Sequence, residues 1–174
     1  MFKELNNMKF FFKHPNKELN VREASRIMDL SPATTSKRLK LLASQKLLKS
    51  RKDRLLTLYR ANIESEFYQD LKIFYNIRII RESGLLKALN EFYMKPTIVL
   101  FGSAAYGTDT ETSDFDIVVL SEKAKEFPQE QKFEKKLKRK IQLFVVKDLN
   151  DLSNKHLANN VLNGIVLQGE IQWI

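Results

Sequence analysis

The stretch FGSAAYGTDTETSDFDIVVL, residues 101–120, constrains the fold more than any other part of this 174-residue chain. An apolar strand ends at Gly102-Ser103, ten residues follow, and Asp114 and Asp116 then open a second apolar run. Residues two apart on a strand project to the same side, so both carboxylates share one face. Two carboxylates held side by side repel each other unless a cation lies between them. The spacing therefore predicts a cation site at the start of a buried strand.

The turn before this pair has the features of a phosphate site. Gly102 permits a sharp turn and a close ligand, and Ser103 begins a short helical turn whose free N–H groups favour an anion. Gly107 ends that turn, and Ser113 precedes the first aspartate. Mg²⁺ is the hard cation that suits both oxygen ligands and phosphate substrates. The two segments together predict a site for Mg²⁺ and a phosphate-bearing ligand.

Gly102-Ser103, a gap of ten residues and Asp114-x-Asp116 resemble the signature of the nucleotidyltransferase superfamily related to DNA polymerase β. Residues 96–174 look most like its minimal members, and GIVLQGE near the end is similar to their closing strand. The resemblance implies a mixed β-sheet flanked by helices. It also implies that Asp114 and Asp116 bind Mg²⁺ and are catalytic, and that a nucleoside monophosphate passes from an NTP, here expected to be ATP, to an acceptor. The nucleotide-binding residues that it implies are Gly102, Ser103, Gly107 and Ser113.

Two positions depart from that family pattern. Family members commonly carry arginine after the Gly-Ser pair, where this chain has Ala104. They usually carry a third carboxylate on a later strand, and the matching segment KIQLFVVK offers Gln142, which cannot accept a proton. Glu111 and Asp148 are the possible substitutes, although a solvated loop position suits each of them. Two alternatives stay open: an active transferase, or a nucleotide-binding fold whose chemistry has decayed.

The first third of the chain carries the excess positive charge. The net charge is +9, and residues 1–60 hold 15 Lys and Arg against 5 Asp and Glu. Apolar residues at helical spacing predict a helix over 20–28, and Ser31-Pro32 starts a second helix that reaches about Ser44. Two helices joined by a tight turn are typical of a helix-turn-helix. A basic segment of this kind predicts binding to a polyanion such as nucleic acid.

Two short strands, Leu47–Ser50 and Leu55–Tyr59, follow around a charged turn, and the stretch then resembles the winged-helix DNA-binding domains of prokaryotic regulators. The resemblance implies that the second helix enters the major groove of double-stranded DNA and that the hairpin wing contacts the backbone. A protein-docking role is the alternative for this fold. The residues implied to face DNA are Thr34, Ser36, Lys37, Arg38 and Lys40 on the helix, and Arg51, Lys52 and Arg54 in the wing.

The segment 61–95 is neutral and reads as a helical connector. Phe67, Leu71, Phe74 and Ile77 recur at three- and four-residue intervals, which predicts a long amphipathic helix, and a second helix follows Ser83-Gly84. Its aromatic residues are expected to pack, either between domains or across a homodimer, which would suit a reader of DNA half-sites. The basic run 132–140 is expected to form a helix with a solvated face; the alternative is that it lies beside the site and contacts phosphates or tRNA.

These features predict an α+β protein: a winged helix over 1–60, a helical connector over 61–95 and a minimal nucleotidyltransferase domain over 96–174. The absence of cysteine, a signal sequence or a membrane-length apolar run favours a cytoplasmic protein. Three functions remain open: an enzyme that transfers AMP to a partner protein, as related antitoxins do to their toxins; a DNA-binding regulator that senses a nucleotide; or a docking protein.

Overall fold

The computed structural model describes residues 2–123, 125–152 and 154–171. It divides the chain into two units, Met1–Lys72 and Ile73–Ile174. The boundary falls inside the long helix of the middle segment, so that this helix contributes residues to both units. Within the described residues, no helix is long and apolar enough to cross a bilayer.

The first unit contains helices and a small antiparallel sheet. Its three-stranded sheet has the order β1-β3-β2, with β3 in the centre. The strands β2 and β3 form a hairpin in which Asp53 pairs with Leu56. The elements in chain order are α1 (Phe2–Lys13), β1 (Leu19–Asn20), α2 (Val21–Met28), α3 (Pro32–Ser44), β2 (Leu48–Asp53) and β3 (Leu56–Ala61).

Local capping sets the starts of α2 and α3. The Asn20 side chain accepts hydrogen bonds from the first turn of α2, and the Asn20 N–H donates to the Glu23 carboxylate, which makes a capping box. Ser31 caps α3, and Pro32 occupies its first position, as the sequence predicts. One face of α3 is buried and carries Thr35, Leu39 and Leu42, whereas Lys37 and Lys40 are exposed. The predicted faces of this helix are confirmed.

The second unit is built on a mixed four-stranded sheet of order β6-β5-β4-β7. β5 is parallel to β6 and antiparallel to β4, and β4 is antiparallel to β7. A mixed sheet flanked by helices is therefore confirmed for this unit. The remaining elements are α4 (Glu66–Ser83), α5 (Leu85–Tyr93), β4 (Thr97–Phe101), α6 (Ser103–Tyr106), β5 (Phe115–Leu120), α7 (Glu130–Leu137), β6 (Ile141–Val146), α8 (Lys155–Leu162) and β7 (Ile165–Gln168), with a 3₁₀ turn at Leu149–Asp151.

The two faces of this sheet pack against different helices. Ile98, Ile117 and Ile141 belong to a core that includes buried residues of α4, α5 and α7. Alternate residues on the same strands, such as Val99 and Val118, pack with the 3₁₀ turn and α8 on the other face. Asp116 and Gln142 follow the second alternation, because side chains on a strand alternate between faces. Both polar residues therefore lie on the α8 side of the sheet.

The buried face of α4 differs from the predicted one. Phe67 and Phe74 are 49% and 42% exposed, whereas Tyr68, Lys72 and Asn76 are buried. The polar members are buried because each has a partner: the Lys72 amine donates to the Phe12 carbonyl at 2.6 Å, and the Asn76 amide donates to Ala104 and to Asp109. The prediction of an apolar face through Phe67 and Phe74 was wrong. Dimerisation stays a prediction, because a single chain does not test it.

Candidate nucleotide site and basic surface

The turn between β4 and α6 has an unusual backbone. Gly102 adopts φ 68° and ψ −157°, a conformation that residues with a Cβ rarely enter. Ser103 is the first residue of the one-turn helix α6, and Gly107 ends that helix with φ 68° and an N–H that donates to the Ser103 carbonyl. The chain thus turns sharply just after a fully paired central strand. This arrangement matches the turn that the sequence predicts.

The Asp116 carboxylate lies directly against this turn. Phe101 pairs with Asp116 across the β4–β5 ladder, so the neighbouring Gly102 meets the aspartate side chain. A Cβ on Gly102 would stand 2.3 Å from Oδ2 of Asp116, closer than atoms can approach. Two features therefore favour glycine at position 102: its positive φ angle, and the Asp116 carboxylate, which leaves no room for a Cβ. The structure brings the phosphate-type turn and the carboxylate together.

Asp114 and Ser113 precede β5 and are both partly buried. The sequence predicts Asp114 at the start of the strand, whereas β5 begins one residue later, at Phe115, so strand alternation does not extend to Asp114. Its carboxylate is nevertheless close enough for its charge to raise the pKa of the Asp116 carboxyl. The Ser113 hydroxyl accepts a hydrogen bond from the Thr110 N–H at 2.9 Å, which stabilises the loop before the strand. Ser113 therefore has a role inside the loop, besides its predicted role toward a nucleotide.

The electrostatics of the pair favour a cation. Burial and the neighbouring Asp114 charge raise the pKa of the Asp116 carboxyl above its usual range, and the Arg139 charge opposes that rise. Within the described residues, no hydrogen-bond donor reaches either carboxylate. A cation between the two groups would relieve their repulsion and take up their oxygen atoms. Two neighbouring carboxylates form a donor set that fits Mg²⁺.

The predicted third position is occupied by an amide. Gln142 pairs with Asp116 in the parallel β5–β6 ladder and is exposed at that edge of the site. Asp148 follows the far end of β6, where Val146 pairs with Leu120, and its carboxylate caps the 3₁₀ turn. That placement removes Asp148 as a substitute for the third carboxylate.

Glu111 lies exposed in the loop between α6 and β5. Among the residues that the structure describes, no group of three or more His, Cys, Asp or Glu side chains is placed to hold a metal ion. The site therefore rests on two carboxylates and the Gln142 amide.

A buried polar network lies behind the site, and the sequence did not predict it. Asp109 and Arg139 form an ion pair with Nη1–Oδ2 2.7 Å, and Asn76 donates to the same carboxylate. Arg139 belongs to the basic run that was expected to have a solvated face, and for this residue that expectation was wrong. No local pattern signals the network, since its members lie more than 25 residues apart in sequence.

The predicted DNA-facing residues of α3 differ in their surroundings. Thr34, Lys37 and Lys40 are exposed, and Ser36 is partly buried. The Thr34 hydroxyl shares a hydrogen bond with Ser31 at the helix start. Arg38 is partly buried and donates to the Asn7 side chain at 2.9 Å. Lys37 and Lys40 therefore offer the most accessible positive charge on this helix.

The hairpin residues also differ. Arg51 donates through Nε to Glu18 at 2.8 Å, and this ion pair partly neutralises its charge. Lys52 and Arg54 are exposed, and Arg54 adopts φ 52° at the tip, next to a fully exposed Leu55. All three hairpin side chains are therefore exposed, and Arg51 differs from Lys52 and Arg54 in that it is paired with Glu18.

Comparison with known proteins agrees with the site in the second unit. Residues 82–162 match the family model of the nucleotidyltransferase domain. The matched segment contains the Gly102-Ser103 turn, both aspartates, Gln142 and the Asp109–Arg139 pair. No curated protein matches the chain. The chain thus contains a segment similar to nucleotidyltransferase domains, which supports nucleotide chemistry for the second unit.

Proposed function

We propose that the second unit binds a nucleoside triphosphate together with Mg²⁺ and transfers its nucleotidyl group to an acceptor hydroxyl. The observation that carries this proposal is the packing of the Asp116 carboxylate against Gly102. That contact joins a sharp glycine turn, suited to phosphate, to a carboxylate, suited to a cation. The similarity of residues 82–162 to nucleotidyltransferase domains supports the same reaction class.

The glycine turn and the two aspartates have different roles in this proposal. The backbone N–H groups at Gly102 and Ser103 hold the phosphates, because the turn leaves them free of strand pairing. Asp114 and Asp116 would hold Mg²⁺, which supplies charge neutralisation to the triphosphate when bound. In the transfer, the acceptor hydroxyl gives up its proton to water and its oxygen bonds to the α-phosphorus. The bond between that phosphorus and the oxygen shared with the β-phosphate breaks, and pyrophosphate leaves. The protein contributes mainly positioning and electrostatics, as is usual for phosphoryl-type chemistry.

A second function is favoured by Gln142. A neutral amide beside Asp116 cannot take the proton that the acceptor hydroxyl loses. Loss of a general base typically slows a reaction by roughly 10²–10⁴-fold. A regulator that senses a nucleotide through the second unit, with slow or no transfer, is therefore the alternative.

The first unit is proposed to be a winged helix that binds double-stranded DNA. Its element order, with a helix pair followed by a hairpin, supports this proposal. Exposed Lys37 and Lys40 on α3 and exposed Lys52 and Arg54 on the hairpin support contact with phosphates, because clustered charges release counterions together. DNA binding is common to the enzyme and to the regulator.

Calorimetry with ATP tests the nucleotide proposal. The full-length protein should bind ATP with Mg²⁺ at least about tenfold more tightly than without it, a difference of ~1.4 kcal/mol. Asp114→Asn combined with Asp116→Asn should abolish the difference, while Asp148→Asn, a matched change at the other end of the sheet, should leave it intact. Equal binding by the unmodified protein in both conditions would show that the carboxylate pair is structural.

A labelling assay separates the enzyme from the sensor. ATP labelled at the α-phosphate is incubated with the protein and cell extract, and label transfer to macromolecules is measured. Transfer that depends on Asp116 supports the enzyme. Mg²⁺-dependent ATP binding without any transfer supports the sensing regulator.

A further inference from the structure

The Asp109–Arg139 ion pair is buried within the second unit. The Asp109 side chain is 1% exposed and the Arg139 side chain 12% exposed. Removing charges from water is costly unless the geometry is good and further hydrogen bonds satisfy the groups. Both conditions are met here, since the pair is short and each partner makes additional hydrogen bonds. Arg139 is thus largely shielded from water, within the same unit as the candidate site.

Two N–H groups of Arg139 donate to backbone carbonyls just before β5. Its Nε donates to the Ser113 carbonyl at 2.5 Å, and its Nη2 donates to the Asp114 carbonyl at 3.2 Å. The guanidinium also stacks on the Phe115 ring, 4.0 Å from the ring centre. Arg139 therefore holds three consecutive residues, the second of which carries a candidate metal-binding carboxylate.

Asp109 connects the same arginine to the glycine turn. Its Oδ1 accepts from the Asn76 amide at 2.8 Å, and that amide nitrogen also donates to the Ala104 carbonyl at 3.0 Å. Asn76 is fully buried, so water does not compete for these hydrogen bonds. Ala104 directly follows Gly102-Ser103. One continuous network thus runs from the phosphate-type turn, through Asn76, Asp109 and Arg139, to the backbone of Asp114.

We infer that Asp109 and Arg139 are positioning residues that hold the Asp114 carboxylate in register with the Gly102-Ser103 turn for Mg²⁺–nucleotide binding. This inference rests on the function proposed above. The physical reason is that residues which orient the ligands of a metal affect its binding, and changing such a residue typically costs about 10–100-fold in metal affinity. The positive charge of Arg139 also offsets part of the repulsion between the two aspartates.

The test measures Mg²⁺ affinity by titrating the metal into the full-length protein at fixed ATP, with no need for catalysis. The variants are Arg139→Gln, Arg139→Lys and Asp109→Asn. Lys140→Gln is the matched control, because it removes the same charge from the adjacent exposed residue. Folding of each variant is checked by circular dichroism, and ATP binding without Mg²⁺ is measured in parallel.

Arg139→Gln and Asp109→Asn should each weaken Mg²⁺ binding about tenfold or more, while ATP binding without Mg²⁺ changes less than about twofold. Arg139→Lys should recover part of the loss, because it keeps the charge but not the forked geometry. Lys140→Gln should behave as the unmodified protein.

Unchanged Mg²⁺ affinity in the folded variants would overturn the positioning role and leave the proposed function standing. Loss of folding in all three variants would assign the network to stability alone and would also overturn it. A lack of Mg²⁺ dependence in the unmodified protein would reject the proposed function, and the inference with it.

Discussion

Oδ2 of Asp116 occupies the space that a Cβ on Gly102 would need, at 2.3 Å from the Cβ position. Asp116 belongs to β5 and Gly102 directly follows the neighbouring strand β4, so the pairing of Phe101 with Asp116 sets their contact. A side chain at position 102 would therefore displace the carboxylate. Gly102 therefore allows both the backbone turn and the observed position of the Asp116 carboxylate, a candidate metal ligand.

Gly102→Ala should reduce Mg²⁺-dependent ATP binding at least about tenfold, because the new methyl group moves the Asp116 carboxylate. The free energy of unfolding should fall by roughly 1–3 kcal/mol from backbone strain. Gly84→Ala is the matched control: Gly84 has φ 82°, with no atom within 4 Å of the added Cβ. It should lower stability by about 1–2 kcal/mol and leave ATP binding unchanged. Calorimetry and thermal melts measure both; equal ATP binding by the two variants would contradict the prediction.

Asp116→Asn should stabilise the protein in the absence of Mg²⁺ at neutral pH. The pKa of Asp116 is raised in the folded state by burial and by Asp114. The native state therefore holds this proton to a higher pH than the unfolded state does, and stability falls as pH rises from the ordinary aspartate range through the raised pKa. The substitution should remove that loss and increase Tm by on the order of 1–3 °C at pH 7.

Thermal melts from pH 4 to pH 8 in EDTA check this expectation. Glu111→Gln is the control, since it removes one charge from an exposed loop residue, and it should leave the Asp116-dependent loss in place. A lower Tm for Asp116→Asn without metal at pH 7 would show that the carboxylate stabilises the fold.

Gln142→Glu should raise Mg²⁺ affinity by about tenfold, because a third negative oxygen ligand would stand beside Asp116. Any transfer activity should increase as well, by up to roughly 10²–10⁴-fold if the new carboxylate acts as a base. Gln131→Glu, an exposed change on α7, controls for the added charge. Metal titration and the labelled-ATP assay measure the two effects. Strong transfer by the unmodified protein that neither variant alters would point to another base, with Glu111 the first to examine.

Lys37→Glu combined with Lys40→Glu should weaken binding of the full-length protein to duplex DNA. The magnitude of the negative slope of log K against log[salt] should fall by about 2, because two phosphate contacts are lost. Lys155→Glu, an exposed change in the second unit, should have no comparable effect. Fluorescence anisotropy from 50 to 300 mM salt measures the slope. Binding that is indifferent to both charge reversals would remove α3 from the DNA interface.

Arg51→Ala should weaken DNA binding less than Lys52→Ala does. The Arg51 guanidinium is already paired with Glu18, so it releases fewer counterions when DNA binds. The same anisotropy assay compares the two variants. A larger effect at Arg51 would mean that the ion pair opens on the DNA.

The sequence by itself determined the features that depend on a few neighbouring residues. Ser31 and Pro32 predict the start of α3 because capping acts within one turn. The Gly102-Ser103 turn and the alternation of side chains along β5 follow from backbone geometry and strand periodicity. These local rules located β4, β5 and β6, but they placed the hairpin strands at Leu47–Ser50 and Leu55–Tyr59, where the structure has Leu48–Asp53 and Leu56–Ala61, and they did not predict β1.

Only the tertiary structure decided which polar side chains are buried. It placed Lys72 and Asn76 inside, left Phe67 half exposed, and put Asp148 at the far end of the sheet. Arg139 is largely buried because the carboxylate of Asp109, 30 residues away in sequence, forms an ion pair with it. A charged or amide group can be buried only where distant segments supply its partners. Folding brings such partners together from distant parts of the sequence, so no periodicity along the chain predicts them.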